Sequence, residues 1–334
     1  MIDILPLQGS PVVNVAVALT LTYQVVMCFY NYFFHPLAKY PGPKLAAISE
    51  LWYAKNWYAV QARWAFTLLD ASKKYGDVIR IAPNELFITS FEAFEEIYGH
   101  TNHSKGRKPF LKSEFYDNPD EMSPLGAERD PVRHRETRKM LAHSFSESAL
   151  TQQVQFIMSH IDLFMKQIEK YGSHEKGIQV DEWFNWLTFD IIGDLAFGES
   201  FHAIEKVKSN PAVTALMNVL FTGSVKERKL HQEFARELIV KRIAKGDDRA
   251  DFFGHLLGDE KTRPSEEFLR TNASSLLIAG SETTATALSG MTYYLLERPE
   301  CLRALQDEVR GAFQSDDEIN ETSTRDLIYV DAVI

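Results

Sequence analysis

From Glu266 to Glu297 the chain holds one uninterrupted helical pattern. Ser265 stands as its N-cap, Glu266 and Glu267 fill the first turn, and Pro299 closes the far end. At 1.5 Å per residue such a helix is roughly 48 Å long, enough to cross a whole domain, so the rest of the chain must pack around it. Its middle, Ser274 to Leu288, carries no Lys or Arg and a single carboxylate, Glu282. Gly280 in mid-helix costs about 1 kcal/mol relative to Ala, so something should profit from it. Leu276, Ala279 or Gly280, Thr283 and Ala287 share one face. Most of these side chains are short, so a flat, bulky group can lie against that face. The Thr283 hydroxyl can bond back to the carbonyl of residue 279 or 280, which loosens the ladder and leaves room for water or dioxygen. Glu282 can pass protons inward while Thr283 positions them. The same residues also suit a core or membrane helix whose small side chains only permit close packing.

Composition narrows the surroundings of this helix. The 334 residues are 45% hydrophobic and 25% charged, which is a globular balance. A net charge of −10 without a long basic run argues against nucleic acid as a partner. Two cysteines, Cys28 and Cys301, cannot build a disulfide framework or a structural zinc site. The stretch from Pro11 to Phe34 has no charged residue, about the ~20 residues that cross a hydrocarbon core. No basic segment precedes it, whereas His35, Lys39 and Lys44 come after it, so the positive-inside bias places the bulk of the chain in the cytosol. A buried core helix is the alternative, since Asn14, Gln24 and Asn31 interrupt the run.

After this stretch, Pro36, Pro41 and Pro43 predict a stiff, extended hinge. Residues 61–75 read as an amphipathic helix. Residues 77–81 and 85–89 alternate as strands around the turn Ala82-Pro83-Asn84, predicting a hairpin. Helices are expected at 91–98, 131–142, 148–171, 181–196, 211–220, 229–245, 266–297 and 299–313. The segment 99–130 lacks a period and reads as a long loop, of a length more often functional than accidental. The fold class is mainly α with a small β element.

Ala279-Gly280-Ser281-Glu282-Thr283-Thr284 within a long helix resembles the oxygen-binding signature of the cytochrome P-450 family. The likeness extends to Arg298-Pro299-Glu300 with Leu302 to Phe313, and to the run Leu327 to Ile334. It also covers Phe189 to Phe201, the proline segment and Gly76 to Asn84, in family order and across essentially the whole chain. The resemblance implies a cytochrome P-450 fold and a haem-dependent monooxygenase of the fungal secondary-metabolism type. Thr283 and Glu282 would be its catalytic pair. Ala279 and Gly280 would make room beside the haem, and Arg138 and His134, at i, i+4 on a basic helix, would hold the propionates. A solvated basic face is the alternative for that pair, since Arg133, Arg135 and Lys139 are neighbours.

The implied cofactor is heme b, and the implied partners are an NADPH-dependent cytochrome reductase, an apolar small-molecule substrate and the endoplasmic reticulum membrane. Residues 1–10 would be lumenal, 11–34 the single-pass anchor, 35–50 the hinge and 51–334 a partial catalytic domain facing the cytosol. The chain departs from the family in two places. The Gly- and Phe-bearing loop with the axial cysteine has no counterpart here, and neither Cys28 nor Cys301 has its sequence setting. The expectation is therefore a C-terminally incomplete family member with no metal ligand of its own. The family's Glu-x-x-Arg role is not carried to Glu233/Arg236, Glu267/Arg270 or Glu300/Arg303, which read as surface pairs. His100 and His103 are too few for a metal. The stretch from Asn210 to Gly246 is short for the two helices and lid of the family. The competing expectation is a catalytically inactive remnant, or a membrane-anchored helical binding protein.

Overall fold

The uncharged N-terminal run forms helix α1 (Pro11–Phe33) in the computed structural model, which describes residues 11–59, 63–99, 110–117, 122–173, 177–211, 214–215, 225–246, 249–258, 260–320 and 322–334. None of the α1 side chains is buried, and by length and composition this helix can cross a membrane. Its hydroxyls at Thr20 and Thr22 bond back to Ala16 and Ala18 carbonyls at 2.9 and 2.8 Å, which hides their polarity within the helix.

The chain divides into two units, Met1–Phe110 and Leu111–Ile334. In the first, α1 is followed by α2 (Lys44–Ile48), α3 (Leu51–Ala59), α4 (Trp64–Tyr75), strands β1 (Val78–Ala82) and β2 (Glu85–Ile88), and α5 (Phe91–Tyr98). The strands pair antiparallel, with Val78 opposite Ile88 and Ile79 opposite Phe87, and a bulge between Arg80 and Ala82. Buried Ala71, Ile79 and Ile81 pack with Trp52, Trp64, Leu68 and Phe87. The segment after α1 is not the extended hinge that its prolines predict. Residues 34–40 fold as successive turns, closed by Ala38 N–H to the His35 carbonyl (2.8 Å) and Tyr40 N–H to the Leu37 carbonyl (3.1 Å). Pro36 fixes its own φ, but that value suits a turn as well as an extended chain.

The second unit is helical throughout its regular structure among the described residues. It comprises α6 (Pro131–Ala142), α7 (Glu147–Tyr171), α8 (Val180–Phe197), α9 (Ala203–Lys206), α10 (Val225–Ala244), α11 (Gly254–Leu257), α12 (Glu266–Glu297), α13 (Pro299–Ala312) and α14 (Ile328–Val333). Three of these start on side-chain caps: Asp130 accepts from Val132 N–H, Ser146 from Ala149 N–H and Ser265 from Phe268 N–H. Each such cap is worth about 1 kcal/mol. The central helix spans the residues its caps predict. The expected helix at 211–220 falls mostly outside the described residues, as do His100, His103 and parts of the 99–130 loop.

α8 is apolar nearly all round, so it is the element the others bury. Its Phe189, Leu195 and Phe197 join Leu269, Ala273 and Leu277 of α12 and Ala235, Leu238 and Ile239 of α10 in one core. On its opposite side, Trp183, Trp186 and Leu187 pack with Phe164 of α7. Buried Asp190 accepts the Ala203 and Ile204 N–H groups at 3.1 and 2.9 Å, capping α9 where no short side chain does so. α8 ends at Gly198, whose φ of +68° is the left-handed conformation that glycine adopts without strain.

Candidate functional site

The middle of α12 divides its residues by face. Leu269, Ala273, Leu277, Ser281 and Ala285, four apart, are buried. Ala279, Thr283, Thr286 and Ala287 are exposed, so a stripe of short side chains runs along the outside of a helix whose other faces are packed. Thr283 Oγ1 donates to the Ala279 carbonyl at 2.6 Å, the back-bond its sequence position predicts. These two residues form the centre of the stripe.

Gly280 and Glu282 lie elsewhere on the circumference. A Cβ built on Gly280 would stand 2.7 Å from Ile192 Cδ1, so the missing side chain lets α8 and α12 approach closely. The exposed face presents Ala279 and Thr283, whereas Gly280 stands at the contact with Ile192 of α8. Glu282 lines a cleft of about 330 Å³ with Asp181, Asn185, Trp186 and Phe201. Its carboxylate thus opens toward α8 and solvent, one residue from the exposed Thr283.

α6 holds the basic pair. His134 is half-buried and Arg138 is exposed. Burial pushes the His134 imidazole below its ordinary value, the charges of Lys112 and Arg138 add to this, and Glu128 opposes it. Neutral imidazole is the form favoured there, a single N–H donor beside two cations. Sequence reasoning missed Lys112, because it sits in a segment without period. Its ammonium donates to the carbonyls of Gly126 and Glu128 at 2.8 and 3.0 Å, and burial lowers its pKa. Among the described residues, no hydrogen bond joins this basic set to Thr283 or Glu282. α6 meets α12 near its start, where Arg133, Thr137, Met140 and Phe268 line a common cavity of about 650 Å³.

The stripe is a flat face of short side chains, and Lys112 and Arg138 are the cations of the basic set. The two cysteines stand in other settings. Cys301 lines a cavity of about 620 Å³ with Ala287, Gly290, Tyr294 and Tyr329, and its bond to Tyr329 is the largest cause raising the phenol's pKa. Cys28 lies on α1 in the first unit. No group of three or more His, Cys, Asp or Glu side chains suited to a metal occurs among the described residues.

The family model described as Cytochrome P450 matches residues 49–227 and 220–334. Cytochrome P450 monooxygenase BOA3 of Botryotinia fuckeliana is 40% identical over 94% of this chain and 66% of its own length. Cytochrome P450 monooxygenase poxC of Penicillium oxalicum is 38% identical, over 95% of this chain and 63% of its own. The chain therefore spans about two thirds of the length of these relatives. The crystal structure of the cytochrome P450DA heme domain superposes with a TM-score of 0.69 at 17% identity, covering 88% of this chain and 66% of that one, which shows the fold. With this order of helices, this central signature and matches that run from residue 49 to the last residue, the chain belongs to the cytochrome P450 family.

Proposed function

We propose that this chain is the membrane-anchored part of a haem-dependent monooxygenase that oxidises an apolar small molecule in fungal secondary metabolism. The observation that carries this reading is the exposed stripe of α12, where Thr283 and Ala279 are joined by a 2.6 Å bond and flanked by Glu282. The named fungal relatives support the reaction class. The apolar α1 supports a place in the endoplasmic reticulum membrane with the remainder of the chain in the cytosol. Electrons would come from an NADPH-dependent reductase, as is general in the family.

Heme b, when bound, would supply the iron centre at which dioxygen is reduced. This chain's residues would do the rest. Ala279 leaves the outer face of α12 low enough for a flat ring, Arg138 and Lys112 would neutralise its carboxylates, and the neutral His134 would donate an N–H to one of them. Glu282 exchanges protons with solvent through its cleft. Thr283 holds a water on the exposed face and so fixes where a proton arrives. Gly280 keeps α12 tight against Ile192, so the stripe does not shift when a ligand presses on it.

The test is co-expression with a reductase, followed by the reduced carbon monoxide difference spectrum and product analysis with apolar substrates. A haem–thiolate spectrum, and loss of oxidised product on Thr283→Ala with the spectrum retained, is the expected result for the chain joined to the remaining third of a relative. Oxidised product unchanged by Thr283→Ala would overturn the assignment. A second reading, a helical binding protein without oxidising activity, is favoured by the setting of Cys301 against Tyr329 rather than against Thr283. It predicts binding of apolar ligands without any haem spectrum in either form.

A further inference from the structure

The junction between α1 and the β1–β2 hairpin is built more firmly than a tether requires. Arg80 on β1 is 1% exposed, and its guanidinium is spent on backbone carbonyls. Nε and Nη2 donate to Pro83 at 3.2 and 2.7 Å, and Nη1 donates to Asn31 in the last turns of α1 at 2.8 Å. Asn31 in turn donates through Nδ2 to the Ile48 carbonyl of α2 at 3.3 Å. His35 Nε2 meets Asn84 Oδ1 at 3.0 Å, and Arg80 N–H reaches the Pro41 carbonyl at 2.7 Å. Gly42 has no room for a side chain, since a Cβ there would lie 2.3 Å from the Arg80 carbonyl oxygen. Helix, loop and hairpin are thus tied at four separate points. A buried guanidinium with its donors satisfied is costly to pull out.

The same end of α1 carries a cluster of exposed aromatics along one side. Phe29, Tyr30, Phe33 and Phe34 are 57%, 42%, 58% and 68% exposed. Phe29 lies 4.8 Å from Phe33 and 5.8 Å from Phe34 between ring centroids, and Tyr30 meets the His35 ring edge-on. Lys39 comes immediately after, its ammonium 5.3 Å from the Tyr40 ring. An apolar helix that ends in aromatic rings, with the hydroxyl-bearing Tyr30 among them, and then in lysines has the order of side chains that a bilayer's core, interface and headgroups select.

We propose that the end of α1 and the β1–β2 hairpin form a rigid joint, closed by Arg80, that seats this aromatic cluster in the headgroup layer and holds the first unit at one tilt against lipid. This rests on the membrane reading of α1. Flexible attachment, with the unit swinging on residues 35–43, is the outcome the joint excludes. The cluster ties the lipid to the same element that Arg80 grips, so depth and tilt are set together.

The test uses the full chain with Cys28→Ala and Cys301→Ser, and nitroxides at Val17→Cys and Asp70→Cys, both exposed and both in the first unit. The spin–spin distance distribution is expected to be a single narrow peak in detergent micelles and in bilayer discs alike. Arg80→Gln should about double its width while circular dichroism is retained, as expected when a local tie is released. If Arg80→Gln does not fold, His35→Ala and Asn84→Ala, which leave the buried guanidinium bonds in place, should broaden the peak by a smaller amount. A broad parent distribution, or no broadening in any of the three variants, overturns the joint. Flotation with phosphatidylcholine–phosphatidylserine vesicles separates the two claims. Failure to float with a narrow peak in micelles would defeat the membrane reading and the seating of the cluster, and leave the joint standing. A nitroxide at Phe34→Cys should report headgroup depth, and one at Leu21→Cys the hydrocarbon core; equal depth for both overturns the seating of the cluster.

Discussion

Arg242 grips Asp251 at two points, Nε to Oδ2 at 2.7 Å and Nη2 to Oδ1 at 2.8 Å, with the side chains only 1% and 0% exposed. Asp251 also accepts the N–H groups of Phe253 and Gly254, and Arg242 Nη1 reaches the Gly246 carbonyl, so the pair fastens the loop after α10 to the core. Removing Asp251 leaves the buried Arg242 charge without a carboxylate, and removing Arg242 leaves Asp251 only the partly exposed Arg249, its Nε 3.3 Å from Oδ2. Asp251→Ala or Arg242→Met is expected to cost about 3–5 kcal/mol, read as a lowered urea midpoint. The double variant should cost clearly less than the sum of the two, because both single changes destroy the same contact.

The close contact of Gly280 with Ile192 gives a second expectation. Gly280→Val should destabilise by about 1–3 kcal/mol through overpacking, although valine alone is the better helix former. Ile192→Ala in the same chain should recover part of this loss. Independent, additive effects in thermal unfolding of the four proteins would show that the glycine is needed for some other reason than the approach of α8.

His231 of α10 is buried, with Nε2 3.2 Å from Ser274 Oγ on α12 and Nδ1 without a hydrogen-bond partner. Burial, with a smaller effect from the Arg270 charge, lowers its pKa from 6.5 to about 4. The unfolded chain therefore takes up a proton before the folded one does. The stability this residue protects is complete above pH 6.5 and is lost as pH falls from there toward 4, by about 3 kcal/mol in all. Unfolding free energies measured across this range should slope downward in acid for the parent chain and be flatter by that amount for His231→Gln.

Lys112 and His134 offer a test that needs no cofactor. Since the Lys112 charge is one of the causes depressing the His134 imidazole, Lys112→Ala should move that imidazole's titration upward, toward its ordinary value. Proton resonance titration of the histidine ring measures this directly. An unchanged or lower midpoint would mean that Lys112 is not part of the basic set on α6.

The ends of α12 are legible because Ser265 and Pro299 are local signals, and the back-bond of Thr283 is legible because it stays within one turn. The contact of Gly280 with α8 is illegible for the opposite reason. Its partner, Ile192, lies on another helix, and no spacing within 266–297 announces it. The proline segment misleads in a related way, since each proline restricts φ but none says whether the next peptide turns or extends. α2 and α3 go unseen because short helices carry too few residues for a period. Lys112 escapes because a loop cation has no pattern until the fold places His134 next to it. The hairpin and α8 can be read from residue order alone, as alternation in one case and a helical period of apolar residues in the other.

Four hydroxyls of α12 share one habit. Ser281, Thr283, Ser289 and Thr292 each donate to the carbonyl four residues earlier, at 2.5 to 2.8 Å. A hydroxyl has a single proton, and here the backbone has taken it. What Thr283 shows the outside is its oxygen lone pairs and a methyl group. Its face is therefore one-way: an approaching N–H or O–H finds a resting place, while a ketone or ether oxygen finds none. For Thr283 to give a proton rather than receive one, its hydroxyl must first turn away from Ala279, and that turn is a gate the helix itself can open or shut.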